Sequence, residues 1–407
     1  MKFHGLRLSF YTLLILGLST LGAVSPLRAD ADVSFTEWLR GFRAQAQKEG
    51  ISSKTLSDAL DGLSLNQRVI ELDRRQPEFT QTFWAYLSKR VTPERIQRGR
   101  ELLRRHLPLL RKIEDRFGVP PRFLVSFWGL ESNFGDYTGK MPVVQSIATL
   151  AYNPRRRQFF TQELLAALQI IDRGDMPPTV QGSWAGAMGQ TQFMPSTYLR
   201  YAIDADSDGR RDLWESLPDI FASSSNFLSK AGWQREETWG REVKVPAGFD
   251  FELTGFPQAR KLAEWQKLGL RRTDGGDLPQ VDINAALIVP AGHKGPAFLV
   301  YKNFKTIMVW NRSIFYAIAV GQLADRLIGK GPLTAKAPAD DVPLSRDQVM
   351  AMQKRLETLG FDVGSVDGVV GAKTRQAIKA FQRMAKIPPD GYPTPGLIEA
   401  LSKFNVN

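Results

Sequence analysis

Glu131 is the carboxylate with the most chemically suggestive surroundings. It lies in Arg122–Phe134 (RFLVSFWGLESNF), the most apolar helical stretch of the chain. Phe127 four residues before it and Trp128 three before it share its helix surface. A carboxyl group against aromatic rings is poorly solvated, which favours its neutral form and raises its pKa. A glutamic acid that keeps its proton near neutral pH is what a general acid for glycoside cleavage needs. A structural glutamate paired with an arginine is the alternative, and the helix alone leaves both open.

Two further segments have the composition of sites. Gln181–Thr197 reads QGSWAGAMGQTQFMPST. Its glycines 182, 186 and 189 permit close backbone approach. Ser183, Gln190, Gln192 and Ser196 offer neutral hydrogen bonders, while Trp184, Met188, Phe193 and Met194 are apolar. That mixture suits a sugar, with hydroxyls at its edges and apolar ring faces. It suits a tight packing joint equally. Asp204–Glu215 reads DADSDGRRDLWE. Asp204, Asp206 and Asp208 alternate, Gly209 supplies a sharp turn, and Glu215 closes a twelve-residue loop of EF-hand pattern. Calcium, with Arg210 offering its backbone carbonyl, is the expected occupant; a solvated acidic turn is the alternative. The chain has no cysteine, and its histidines are His4, His106 and His293. Disulfides, thiolate sites and a cysteine nucleophile are excluded, and no zinc-ligand spacing appears.

The elements that must position these residues are mostly helical. Phe35, Trp38, Leu39 and Phe42, and later Phe83, Tyr86 and Leu87, recur at helical steps between residues 33 and about 120. Pro120-Pro121 opens the helix of Glu131 and Gly135 ends it. More helices are expected near 158–172, 217–231 and 313–327, with strands within 241–256 and 280–308. Residues 329–343 (GKGPLTAKAPADDVP) read as a linker. The unit after it has two Asp-Gly turns, Asp367-Gly368 and Asp390-Gly391. Each is followed by a threonine and a helical apolar pattern, which reads as a weak internal repeat.

At the other end, Lys2 and Arg7 precede an apolar run from Leu8 to Val24, and Ala29 and Ala31 follow. This is the layout of a secretory signal over residues 1–31; uncleaved, it would be an anchor. The net charge of +12 favours an anionic partner. Export turns that reading away from nucleic acid and toward the cell-wall polymer.

The motifs FWGLESNFG, PRRRQFF, GSWAGAMGQTQFMPST, the DxDxDG loop and NFKTIMVWNRS occur in that order over residues 33 to 326. In order and spacing they resemble the lytic murein transglycosylase B family. The resemblance implies a mainly α (α+β) chain: a lysozyme-like helical catalytic domain over 32–328 with a small β-containing insertion. It implies cleavage of the β-1,4 bond between N-acetylmuramic acid and N-acetylglucosamine, with a 1,6-anhydro product. Glu131 matches the family's acid, which then acts as base. Ser183 matches a serine that orients the acetamido group or assists proton transfer. Tyr86, Gln192 and Asn311 match cleft residues, and Arg155 and Arg156 match a basic pair suited to carboxylates. Met188 and Gln190 belong to the same expected lining. Phe159, Phe227 and Trp310 stand where some members have tyrosine. The family's final metal carboxylate lies further along in some members, where Asp219 would match better than Glu215. A second carboxylate is not expected, since the substrate's acetamido group replaces it; Asp136 and Glu163 are the rivals.

The tail over 344–407 resembles a three-helix peptidoglycan-binding module. Gln353, Leu356, Asp367-Gly368, Thr374, Ile378 and Phe381-Gln382 carry that match. The expected partners are peptidoglycan strands and other cell-wall enzymes. Nucleic acid and an organic cofactor are not expected, membrane only if the signal is retained, and the chain is expected to be a monomer. A hydrolytic muramidase and a non-catalytic wall-binding protein are the competing functions.

Overall fold

The computed structural model describes residues 33–74, 81–337 and 341–404; the segment read as a secretory signal lies outside them. Among the described residues no helix is long and apolar enough to cross a membrane.

The helix of Glu131 spans Pro121–Ser132 and runs through the largest core. Phe123, Leu124, Val125 and Phe127 are at most 1% exposed. This explains why the segment shows so little polar face: a helix covered on nearly every side reads as apolar all round. It packs against the helices Pro93–Arg105, Leu107–Phe117 and Ile314–Leu327. The Ser126 hydroxyl donates to the Val320 carbonyl at 2.7 Å, which fixes the last of these contacts. Each apolar side chain fully buried here contributes roughly 1.5–3 kcal/mol. The helix stops before Gly135. Asn133 and Phe134 both take positive φ, so the chain turns two residues earlier than the glycine suggests. The turn folds the Phe134 ring back over Gly129, where a Cβ would come within 2.6 Å of it.

The insertion forms a five-stranded antiparallel sheet. Its strands run in the order Arg260–Lys261, Asn284–Ile288, Ala297–Val300, Gly240–Lys244, Arg271–Arg272. Leu287 lies opposite Leu299. The period of two sorts the central strands between two cores. Ala285, Leu287, Ala297 and Leu299 join Trp265 and Val243 on one face; Ala286, Ile288, Phe298 and Val300 join the main core on the other. Burial on both faces is why NAALI and AFLV read as continuous apolar runs. The strand expected to continue to residue 308 is corrected. Lys302–Trp310 is a helix, with Asn303, Phe304, Thr306 and Ile307 buried at helical spacing. In the other stretch, Phe251–Leu253 is a 3-10 turn.

The C-terminal unit has its own core and three helices, Arg346–Thr358, Ala372–Met384 and Pro395–Lys403. Its repeat is also a repeat of geometry. In the first copy the Gln353 side chain accepts from Gly368 N at 2.9 Å, while Asp367 accepts from Val369 N at 2.9 Å. In the second, Gln382 accepts from Gly391 N at 2.8 Å, while Asp390 accepts from Tyr392 N at 2.8 Å. A buried glutamine on the preceding helix clamps each Asp-Gly turn.

Candidate active site

Glu131 sits one residue from the end of its helix, half-buried, on the wall of a cavity of about 600 Å³. Two donors converge on its Oε1. The Trp310 indole N–H donates at 2.9 Å, and the Tyr316 hydroxyl makes a shorter bond. No hydrogen bond from the described residues reaches Oε2, so that oxygen faces the cavity unengaged. Burial pushes the Glu131 pKa up to about 7, against the opposing pull of the Tyr316 and Trp310 hydrogen bonds and of the Arg90 charge. The carboxyl group is therefore poised between its two protonation states near neutral pH.

Aromatic packing holds the donors in place. Phe127 lies 4.5 Å from Trp310, ring centre to ring centre, and Phe193 and Phe227 pack on Trp310 at 5.2 and 5.0 Å. Trp310, which stands where some family members have tyrosine, here aims its N–H at Glu131. Trp128 points elsewhere, donating to Gln190 Oε1 at 2.6 Å. Tyr316 was not singled out in the sequence. It opens the helix Ile314–Leu327, whose N-cap Ser313 accepts from Tyr316 N at 3.3 Å.

Of the other expected residues, Tyr86 and Asn311 line the same cavity as Glu131. Arg90 stands over the Tyr86 ring at 5.4 Å. Ser183 and Gln192 are not among its lining residues. The Ser183 hydroxyl accepts from Ala187 N at 2.9 Å and Ala185 N at 3.3 Å. Gln192, at positive φ, donates to the carbonyls of Thr138 and Gly189, each at 2.9 Å. Two expectations are corrected. Met188 is fully buried, so it supports the loop from beneath and offers substrate no surface. Gln190 is engaged at both ends, by Trp128 and by the Trp214 carbonyl, and so braces the site from behind. Arg156 pairs with the buried Asp73, and Arg155 lies 3.9 Å from the same carboxylate, so one carboxylate faces two guanidiniums. Phe159 is exposed.

Neither rival carboxylate is available. Asp136 pairs with Arg98 at 2.7 Å. Buried Glu163 accepts from Ser196 N at 2.9 Å and Ser196 Oγ at 2.6 Å, closing the start of the helix Pro195–Tyr201. Among the described residues lining the cavity, Glu131 is the one carboxylate.

The acidic loop brings Asp204, Asp206 and Asp219 together, with carboxylate oxygens within 4.8 Å of one another. Glu215 and Asp208 are outside this group. Asp219 is fully buried in the first turn of the helix Leu217–Lys230 and accepts from Ala205 N at 2.7 Å and Asp212 N at 2.8 Å. Asp208 accepts from Arg210 N at 2.9 Å.

Comparison with known proteins identifies the family. The transglycosylase SLT domain family matches residues 34–325, and a peptidoglycan binding domain family matches residues 345–401. The membrane-bound lytic murein transglycosylase B of Escherichia coli is 30% identical over 298 residues, 70% of this chain and 78% of that protein. SltB3 of Pseudomonas aeruginosa, solved in complex with NAG-anhNAM-pentapeptide, is 45% identical with a TM-score of 0.88. The match covers 91% of this chain and all of that one. The Escherichia coli lytic transglycosylase Slt35, solved in complex with calcium, is 29% identical with a TM-score of 0.62, covering 71% of this chain and 92% of that one. The chain belongs to the lytic transglycosylase family of peptidoglycan-cleaving lyases and carries a peptidoglycan-binding domain at its C-terminal end.

Proposed function

We propose that the protein cleaves the β-1,4 bond between N-acetylmuramic acid and N-acetylglucosamine without water, with Glu131 as acid and then base. The observation that carries this is a half-buried carboxylate with a pKa near 7 on a cavity wall that, among its described residues, holds no second one. Protonated Oε2 gives its proton to the departing glycosidic oxygen. The resulting carboxylate, steadied by Tyr316 and Trp310, takes the proton of the muramyl C6 hydroxyl, and that oxygen closes on C1 to form the 1,6-anhydro ring. A retaining hydrolase needs a second carboxylate about 5–5.5 Å away. With none there, the substrate's acetamido group assists at C1. The resemblance to the family's serine assigns that acetamido group to Ser183, which lies outside the lining of the Glu131 cavity and whose hydroxyl, accepting from two backbone N–H groups, keeps a proton to donate. The anhydro sugar in the SltB3 complex supports this product.

Asp204, Asp206 and Asp219 would hold a calcium ion in a purely structural role. Three clustered carboxylates, one of them fully buried, repel unless a cation sits among them. Peptidoglycan as substrate and the signal-like layout of residues 1–31, cleaved or retained as an anchor, support a periplasmic location.

Mass spectrometry of the muropeptides released from sacculi tests the proposal. Anhydro ends, lighter by one water than reducing ends, are expected; reducing ends would make the protein a muramidase.

A further inference from the structure

The cavity at Glu131 is closed by the C-terminal unit. One wall comes from the catalytic domain, the other from residues that include Leu344, Val370, Arg375 and Tyr392. The joint between the units is built from specific contacts. Lys379 donates to the carbonyls of Phe251 and Thr254 at 3.1 and 3.2 Å and to Thr254 Oγ1 at 2.9 Å. Arg383 pairs with Glu252 at 2.9 Å, and Asp390 accepts from His293 N at 2.8 Å. Arg375 lies four residues before Lys379, on the same helix face. While Lys379 fastens the units together, Arg375 reaches the cavity.

The charges lining this cavity do not balance. Arg90, Arg312 and Arg375 face it, and no ion pair with a described residue engages any of them. Glu131, the one carboxylate, is largely protonated below pH 7. Arg375 is half-buried; burial pulls its pKa below the ordinary arginine value, and the charges of Tyr392 and of Asp390 behind it offset that only in part. A half-buried guanidinium with no ion-pair partner among the described residues is free to receive an anion through charged hydrogen bonds.

We infer that Arg375 is a specificity residue for the reaction, supplied across the domain joint, and that it receives a carboxylate of the peptide stem on the muramyl residue next to the scissile bond. This rests on the proposed activity. The stem leaves the sugar at the lactyl group and ends in a carboxylate, so it carries the charge the cavity lacks. On this reading the C-terminal unit is a wall of the active site as well as an anchor on the polymer.

The experiment compares the full-length protein with R375A and R375K on two substrates: peptide-bearing glycan strands, and strands stripped by an amidase, which keep only the lactyl carboxylate. For R375A a rise of about tenfold in KM is expected on peptide-bearing strands, with kcat little changed, since a lost charged hydrogen bond weakens ground and transition states alike. On stripped strands the change should stay under about twofold. R375K, which keeps the charge, should recover part of the loss on peptide-bearing strands, ruling out a misplaced domain as the cause. Equal losses on both substrates would assign Arg375 to the lactyl carboxylate or to folding, and no loss on peptide-bearing strands would remove it from recognition; either result overturns the inference. Failure of the wild-type protein to yield anhydro products from either substrate would instead refute the proposed activity.

Discussion

Glu131 and Asp390 are both drawn out of water, and their surroundings tune them in opposite directions. Glu131 receives hydrogen bonds from an indole and a phenol, both on one oxygen. Asp390 uses both oxygens. Oδ2 accepts from His293 N at 2.8 Å and faces the His293 ring, while Oδ1 accepts from Gln382 Nε2 and Tyr392 N, each at 2.8 Å. Burial raises the pKa in both cases. At Asp390 the hydrogen bonds overcome it and hold the carboxyl below its ordinary value, whereas at Glu131 they do not. A buried carboxylate whose two oxygens are both satisfied remains an anion and serves structure. One left with an empty oxygen remains an acid and can serve chemistry.

The sharpest test removes the acid itself. Glu131→Gln keeps the shape and both donors but cannot transfer a proton. Release of muropeptides from sacculi should fall by about 10²–10⁴-fold, the usual contribution of general acid–base catalysis, while co-sedimentation with sacculi persists. Unchanged lysis would dissolve the contrast with Asp390. Next comes the hydrogen bond from Tyr316. Since that bond lowers the Glu131 pKa, Tyr316→Phe should raise it. Activity that needs protonated Glu131 falls as pH rises through about 7, so in the variant this limb of the kcat/KM profile should move to higher pH. At neutral pH the loss should be about tenfold, because the acid is weaker and less well oriented. A profile that stays in place would free Glu131 from Tyr316.

How far the sequence revealed this contrast depends on the kind of contact. Glu131 was legible because its helix is apolar on nearly every side and the ordered motifs flank it. Tyr316 was not: it is 185 residues further along, in a helix that reads as plain core. Trp310 was legible as an aromatic, but the direction of its N–H depends on packing against Phe127, Phe193 and Phe227. Gln190 and Met188 share a motif with surface residues, and only the fold decides which of them face inward. In the tail, the Asp-Gly turns announced the repeat because they are local. The joint made by Lys379 was hidden, because its acceptors are mainly backbone carbonyls, which every residue has.

The same contrast predicts stability changes of opposite sign. A carboxyl whose folded pKa is raised destabilises the fold as pH climbs above its unfolded value, and the penalty is complete above the folded value. For Glu131 that window runs from 4.5 to about 7, and at 1.36 kcal/mol per unit the penalty reaches up to about 3 kcal/mol. Glu131→Gln should therefore melt higher than wild type at pH 8, with the gain fading toward pH 4.5. For Asp390 the folded pKa is lowered, so its contribution is present above the unfolded value of about 3.9 and is lost as pH falls through the folded one. Asp390→Asn should melt lower at neutral pH, by about 1–3 kcal/mol, and converge on wild type in acid. Calorimetry across pH reads both; shifts of the same sign would show that neither carboxyl is governed by its hydrogen bonding.

Asp219, fully buried, tests the smallest distinction. Burial raises its pKa despite two backbone donors, and the neighbouring charges of Asp206 and Asp204 add to the rise. In the proposed calcium site a cation would sit against this carboxylate, where Asp390 is satisfied by hydrogen bonds alone. Calcium should raise the melting temperature and chelation should lower it, following the stabilisation of about 2.7 kcal/mol expected for a ligand at a hundred times its Kd. Asp219→Asn should abolish most of that response. Glu215→Gln should leave it nearly intact, because Glu215 stands outside the cluster in spite of its EF-hand spacing. The reverse pattern, with Glu215→Gln losing the response and Asp219→Asn keeping it, would mean that the loop closes on its twelfth residue when the ion binds.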